Sequence, residues 1–239
     1  MRRRPRLPGA DVTAWFLERY PPANAALLLV VAVVVHAFGH GGLAPGALAA
    51  FAGLWCFYLL VRIVDEHKDY ADDLVAHPER ALQSGRVTLG RLRLVAAAAL
   101  AVQAAVALPA GRAASGWWLI LLGWLCWAAQ DFFTGGRLEG RPLLYPLAHV
   151  PLSGLACVWV AQLGAGEHPV GLSAWKAFAF GTLLALAVDL ARKLGSDPDR
   201  SYGRALGAFR ARALLAGVLS ALAGTGAAVV QPGVWKALT

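Results

Sequence analysis

Seven apolar blocks, each close to the length a helix needs to cross a bilayer, limit what this chain can fold into. They cover 23–38, 46–64, 92–109, 117–133, 143–163, 172–190 and 211–230. About 20 helical residues span about 30 Å of hydrocarbon. Such a helix bonds its own backbone polar groups where no water can. Charged residues make up only 15% of the 239 and hydrophobic ones 58%, whereas soluble domains are about 25% charged. The expected fold is all-α, a polytopic transmembrane helix bundle of about seven spans.

The loops give an independent reading of orientation. Lys and Arg collect on the cytoplasmic side of membrane proteins. With the amino terminus cytoplasmic, every basic residue falls on an inner segment except Arg112, Lys176 and Lys236. That alternation fits an odd number of spans in a cell (inner or plasma) membrane. It also accounts for the net charge of +8 without nucleic acid, for which no binding module is recognisable. Cys56, Cys126 and Cys157 all lie inside apolar blocks without metal-ligand spacing, as small buried residues do.

Two regions follow from this pattern. Residues 1–22 form a basic, proline-containing lead rather than a removable signal peptide. Within it, 11–19 reads as an amphipathic helix on the inner surface, with Trp15 and Phe16 in the interface. Residues 23–239 form a single membrane domain. Its inner connections are longer than its outer ones and carry nearly all the polar chemistry.

At the inner end of the second block, Asp65, Asp69 and Asp73 recur every four residues. Continued as a helix, that spacing stacks the carboxylates on one face, where like charges repel. Magnesium bridged to phosphate oxygens would offset the repulsion. A solvated helix end of mixed charge, with Arg62, His67 and Lys68 beside the acids, is the plainer alternative. Next comes 79–86, where Arg80 and Arg86 suit anionic oxygens and Ser84-Gly85 suits a turn. A basic inner loop would look the same.

Taken together, the two segments resemble the UbiA superfamily of intramembrane prenyltransferases. Its first signature, Asn-x-x-x-Asp-x-x-x-Asp, is matched by Asp65, Asp69 and Asp73, with Asp in place of the usual Asn. Its following Arg-Pro-Leu-Pro-Ser-Gly is matched by Arg80-Ala-Leu-Gln-Ser-Gly85 at Arg, Leu, Ser and Gly. The second acidic signature, Asp-x-x-x-Asp, falls at the end of the sixth block. There Asp189 fits, but Lys193 occupies the second acidic position. Asp197 or Asp199 is a substitute carboxylate, while Arg192 and Lys193 could neutralise diphosphate directly.

The resemblance implies magnesium-dependent ionisation of an isoprenoid diphosphate and transfer of the prenyl group to a lipophilic, commonly aromatic, acceptor. It implies Asp65, Asp69, Asp73, Asp189 and Asp197 as metal ligands, and Arg80, Arg192 and Lys193 on the diphosphate. Asp131 and His149 are candidates for the acceptor side. Trp55, Trp124, Trp127 and Trp159 are deep enough to line a cavity and stabilise a carbocation. Trp117, Trp118 and Trp175 read as interfacial anchors. His36 and His40, four apart at the outer end of the first block, lack a third metal ligand.

The family usually has nine spans, so a homo-oligomer completing the cavity is one expectation. A terpene cyclase of the same superfamily, and a non-catalytic lipid-binding protein or small transporter, are the alternatives.

Overall fold

In the computed structural model, which describes residues 10–42, 44–130, 144–195 and 208–227, a helix forms within each apolar block. The order is α1 (Ala10–Arg19), α2 (Ala23–His40), α3 (Gly46–Lys68), α4 (Tyr70–Ala76) and α5 (Leu89–Ala107). Then come α6 (Arg112–Ala128), α7 (Leu144–Ala165), α8 (Leu172–Gly195) and α9 (Ala208–Ala227). Among the described residues there is no strand. Among the described residues, five helices, α2, α3, α5, α7 and α8, are long and apolar enough to cross a membrane. Helix α6 has 17 residues and the apolar part of α9 is Arg212–Gly224.

Exposed Val30, Leu48, Leu94, Leu119 and Leu172 carry apolar surface around the outside of the bundle. A soluble protein rarely leaves so much apolar surface uncovered; lipid covers it here.

Helix α7 is the most enclosed of the five, packing against α2, α3, α6 and α8. Missing side chains permit this. A Cβ on Gly39 would collide with the Ala161 carbonyl oxygen, and one on Gly164 would collide with that of His36. On the other side, a Cβ on Gly181 would meet the Ser153 carbonyl oxygen at 2.5 Å and Cys157 Sγ at 2.6 Å. Small residues let helix backbones approach within a membrane, where dispersion rather than water drives association. In a second contact, Trp118 of α6 donates its indole N–H to Gln103 of α5 at 3.2 Å.

Three sequence expectations need correcting. Helix α6 begins and ends earlier than the apolar block, because Gly111, at φ 98°, turns the chain out of α5 just before Arg112. The helix of the second block does not run unbroken through its acidic tail. It stops at Lys68, and Asp69 separates it from α4. Even so, Asp69 N–H donates to the Asp65 carbonyl at 2.8 Å and Asp73 N–H to that of Asp69 at 2.9 Å, so the four-residue spacing persists across the break. Finally, α1 exists as expected, yet Trp15 is fully buried rather than interfacial. It packs with Tyr20, Leu59, Ile63, Leu82 and Leu92. The Trp15 side of α1 is covered by protein, while Leu17 remains exposed.

Candidate functional site

The acidic tail of α3 is built into a lattice of ion pairs with α1 and with the connection between α4 and α5. Arg80 donates to Asp73 at 2.7 Å, and Arg19 stands 3.7 Å from the same carboxylate oxygen. Arg19 also donates its Nε–H to Glu66, whose same oxygen takes Arg62 at 3.3 Å. Arg62 lies 3.6 Å from Asp65. Neighbouring Glu18 accepts the Ala81 N–H at 3.1 Å and pairs with Arg86 at 3.6 Å.

The connection itself is a tight turn. Val87 N–H donates to the Ala81 carbonyl at 3.1 Å, and Gly85 takes φ 71°, a backbone conformation glycine adopts without a Cβ clash. Arg80 is thereby held over the α3 tail.

Beside this lattice lies a chamber of about 390 Å³ between α2, α3, α7 and α8. Tyr20, Asn24, Asp189 and Arg192 form one end of its lining, and Leu27, Val31, Leu184 and Val188 are among its apolar walls. Gly181 lies eight residues before Asp189 on α8, so the chamber reaches about 12 Å along that helix. Near Gly181 it ends on Tyr58, Ser153 and Cys157. There the Tyr58 hydroxyl donates to Ser153 Oγ at 2.9 Å.

Arg192 pairs with Asp189 at 3.3 Å, and Asp189 is 18% exposed against 74% for Arg192. The carboxylate is therefore set in the wall while the guanidinium reaches out. Tyr20 donates its hydroxyl to the Trp55 carbonyl at 2.8 Å. Burial, with Cys56 and Tyr58 adding to it, pushes its pKa up and keeps it a neutral donor.

Among solved structures, a digeranylgeranylglyceryl phosphate synthase, studied as an enzyme of membranes, superposes on this chain with a TM-score of 0.61. The match covers 90% of this chain and 76% of that one at 12% identity. The chain has the fold of that enzyme. At that identity the likeness is one of fold. No family model matches the sequence, and no curated protein matches it.

Within this fold, the residues singled out from the sequence fall into groups. Asp73 and Arg80 meet directly, and Arg19 joins them. Asp189 and Arg192 meet at the polar end of the chamber. Asp65, Asp69 and Asp73 are not part of the chamber lining. Consecutive residues link the two groups: Arg19 holds the α3 tail, and Tyr20 lines the chamber.

His149 lies on α7, half-buried and away from the chamber lining. Asp131 and Asp197 lie outside the described residues, as does the side chain of Lys193. None of Trp55, Trp124, Trp127 or Trp159 lines the chamber. Trp159 is fully buried in the core and Trp127 is exposed. Sequence reasoning missed Glu66, Tyr58, Ser153, Tyr20 and Asn24.

Among the described residues, no three His, Cys, Asp or Glu side chains come together as a metal cage. Magnesium does not require one, since it is commonly held by one or two carboxylates plus substrate phosphate oxygens. Asp73 is engaged by two guanidinium groups. Asp65 and Asp69, one helical turn apart, are the pair whose hard oxygen donors suit an ion brought in with a diphosphate. Asp65 keeps 46% of its side chain exposed beside its single longer pairing with Arg62 at 3.6 Å.

Proposed function

We propose that the protein is an intramembrane prenyltransferase, with its amino terminus cytoplasmic, that takes an isoprenoid diphosphate and transfers its prenyl group to a lipophilic acceptor. The observation that carries this reading is the chamber: a mostly apolar cavity with a carboxylate and a guanidinium at one end, set in a UbiA-type fold.

An isoprenoid diphosphate is an amphiphile, and the chamber is one too. The prenyl chain lies along Leu27, Val31, Leu184 and Val188, where its transfer from water is favourable. The diphosphate sits at the polar end, with Arg192 as a fork for its oxygens. Tyr20 and Asn24 line that end beside it.

Arg80 is held by Asp73 on the side of the α3 tail, ready to share the diphosphate charge as the bond to the prenyl carbon breaks. Magnesium, bound with the diphosphate through Asp65 and Asp69, would supply further neutralisation of the leaving group. The apolar walls exclude water from the allylic cation, which the acceptor then captures.

The test is a product assay on the purified protein in lipid. An isoprenoid diphosphate with magnesium and an aromatic lipid acceptor should give a prenylated acceptor, and Asp69→Ala should slow its formation on the order of a hundredfold or more. Hydrocarbon or terpene alcohol formed without acceptor would instead make the protein a cyclase. No diphosphate release under any condition would remove the enzyme assignment.

A further inference from the structure

A second concavity, of about 470 Å³, opens between α3, α5 and the end of α6. At about 100° per helical residue, Leu60, Val64 and His67 fall on the side of α3 opposite Asp65 and Asp69. The groove therefore opens on a different face of α3 from those carboxylates, with Lys68 on the edge nearest Asp65. Its wall is apolar, made by Leu60, Ile63, Val64 and Ala96, and His67, Lys68 and Arg93 stand at its polar end.

The rim is organised by one imidazole. His67 Nδ1 lies 2.8 Å from the Ile63 carbonyl oxygen, so that nitrogen carries the proton and donates. Nε2 is then the acceptor, and Arg93 donates its Nε–H to it at 3.3 Å. This bond ties α5 to α3 and orients the Arg93 guanidinium, whose two Nη groups form the forked edge suited to phosphate oxygens. Lys68 adds an ammonium on the same rim.

We infer that this groove binds an anionic phospholipid, with its phosphate at Arg93 and Lys68 and an acyl chain along Leu60, Ile63 and Val64. Charge complementarity selects the headgroup. Basic pockets between membrane helices are fitted to anionic lipid headgroups. The apolar wall continuing from the rim selects an amphiphile over a soluble anion, which would leave that wall uncovered. A zwitterionic lipid would bring its own ammonium towards two cations. The inference does not depend on the proposed enzymatic reaction.

The test uses the full chain in phosphatidylcholine nanodiscs, with and without phosphatidylglycerol. Retained lipid is counted by native mass spectrometry, and the thermal unfolding midpoint is recorded. The unsubstituted protein should retain phosphatidylglycerol selectively and unfold at a higher temperature in its presence. Arg93→Gln and Lys68→Gln should each weaken retention, by roughly tenfold for Arg93→Gln, which loses the whole fork. Arg93→Lys should fall between. Arg112→Gln, a basic residue starting α6, should change nothing.

If Arg93→Gln does not fold, Lys68→Gln supplies the same readout. Equal retention of phosphatidylglycerol by the rim variants would overturn the proposal. So would equal retention of phosphatidylcholine, or a matching midpoint shift with inorganic phosphate alone.

Discussion

Arg19 of α1 donates its Nε–H to a carboxylate oxygen of Glu66 on α3, a side chain only 1% exposed. The two residues are 47 apart in the chain, so this bond fixes the amino-terminal helix to the end of the third. The second Glu66 oxygen is buried without a hydrogen-bond partner among the described residues, which makes its pairing with Arg19 the more consequential. Without Arg19, Glu66 keeps only Arg62, 3.3 Å from the same oxygen, and a buried polar group that loses a partner typically costs about 1–3 kcal/mol.

Arg19→Met should therefore lower the unfolding midpoint, by about 1–3 kcal/mol in stability. Arg19→Met/Glu66→Met should recover part of that loss, because the buried carboxylate leaves with its partner, while Arg62 keeps Asp65 and Asp73 keeps Arg80. A double-mutant cycle of unfolding free energies in detergent or lipid discs checks this. Strict additivity would mean that the pair contributes nothing.

Asp69 breaks the helix between α3 and α4 while keeping the hydrogen bonds on either side of it. One turn further on, Asp73 pairs with both Arg19 and Arg80. Asp69→Ala should lower turnover on the order of a hundredfold or more, if its carboxylate shares in neutralising the diphosphate through magnesium. Its backbone bonds do not need the carboxylate, so the unfolding midpoint should fall less than in Asp73→Asn. The latter should lower both rate and midpoint, because it also releases Arg80 and Arg19. Measuring rate and midpoint on the same preparations separates the two roles.

The chamber's far end makes a prediction about chain length. Cys157 lines it and is 2% exposed, so a larger side chain there must either fill the cavity or displace α8. Cys157→Leu should reduce kcat/KM for geranylgeranyl diphosphate more than for geranyl diphosphate. The check is competition between the two substrates. An unchanged preference would show that the prenyl chain does not reach α7.

These residues also show what the sequence could and could not reveal. The helices were legible because bilayer thickness fixes their length, and one helix stands within each apolar block among the described residues. The four-residue spacing of Asp65, Asp69 and Asp73 was legible because a helical repeat needs only local sequence. The chamber was not. Tyr20, Tyr58, Ser153 and Gly181 come from four separate places in the chain, and no periodicity marks residues that meet only through packing. Glu66 was one acid among several until Arg19 reached it. Trp15 was misplaced for a related reason: an amphipathic pattern tells which face of α1 is apolar but not whether lipid or protein covers it.

Glycine substitutions provide the last test, because two glycines in similar helices should respond in opposite directions. Gly39 faces the α7 backbone, and a Cβ there would overlap the Ala161 carbonyl oxygen. Backbone cannot rotate away as a side chain can, so Gly39→Ala must push α2 off α7, and overpacking of this kind costs about 1–3 kcal/mol or more. Gly123 lies in α6 with nothing within 4 Å of where a methyl group would stand. Gly123→Ala should instead stabilise the protein by up to about 1 kcal/mol, since alanine loses less backbone freedom in a helix. Unfolding midpoints of the two variants should move apart, downward for Gly39→Ala and slightly upward for Gly123→Ala. A harmless Gly39→Ala would mean that α2 and α7 do not cross where this packing has them.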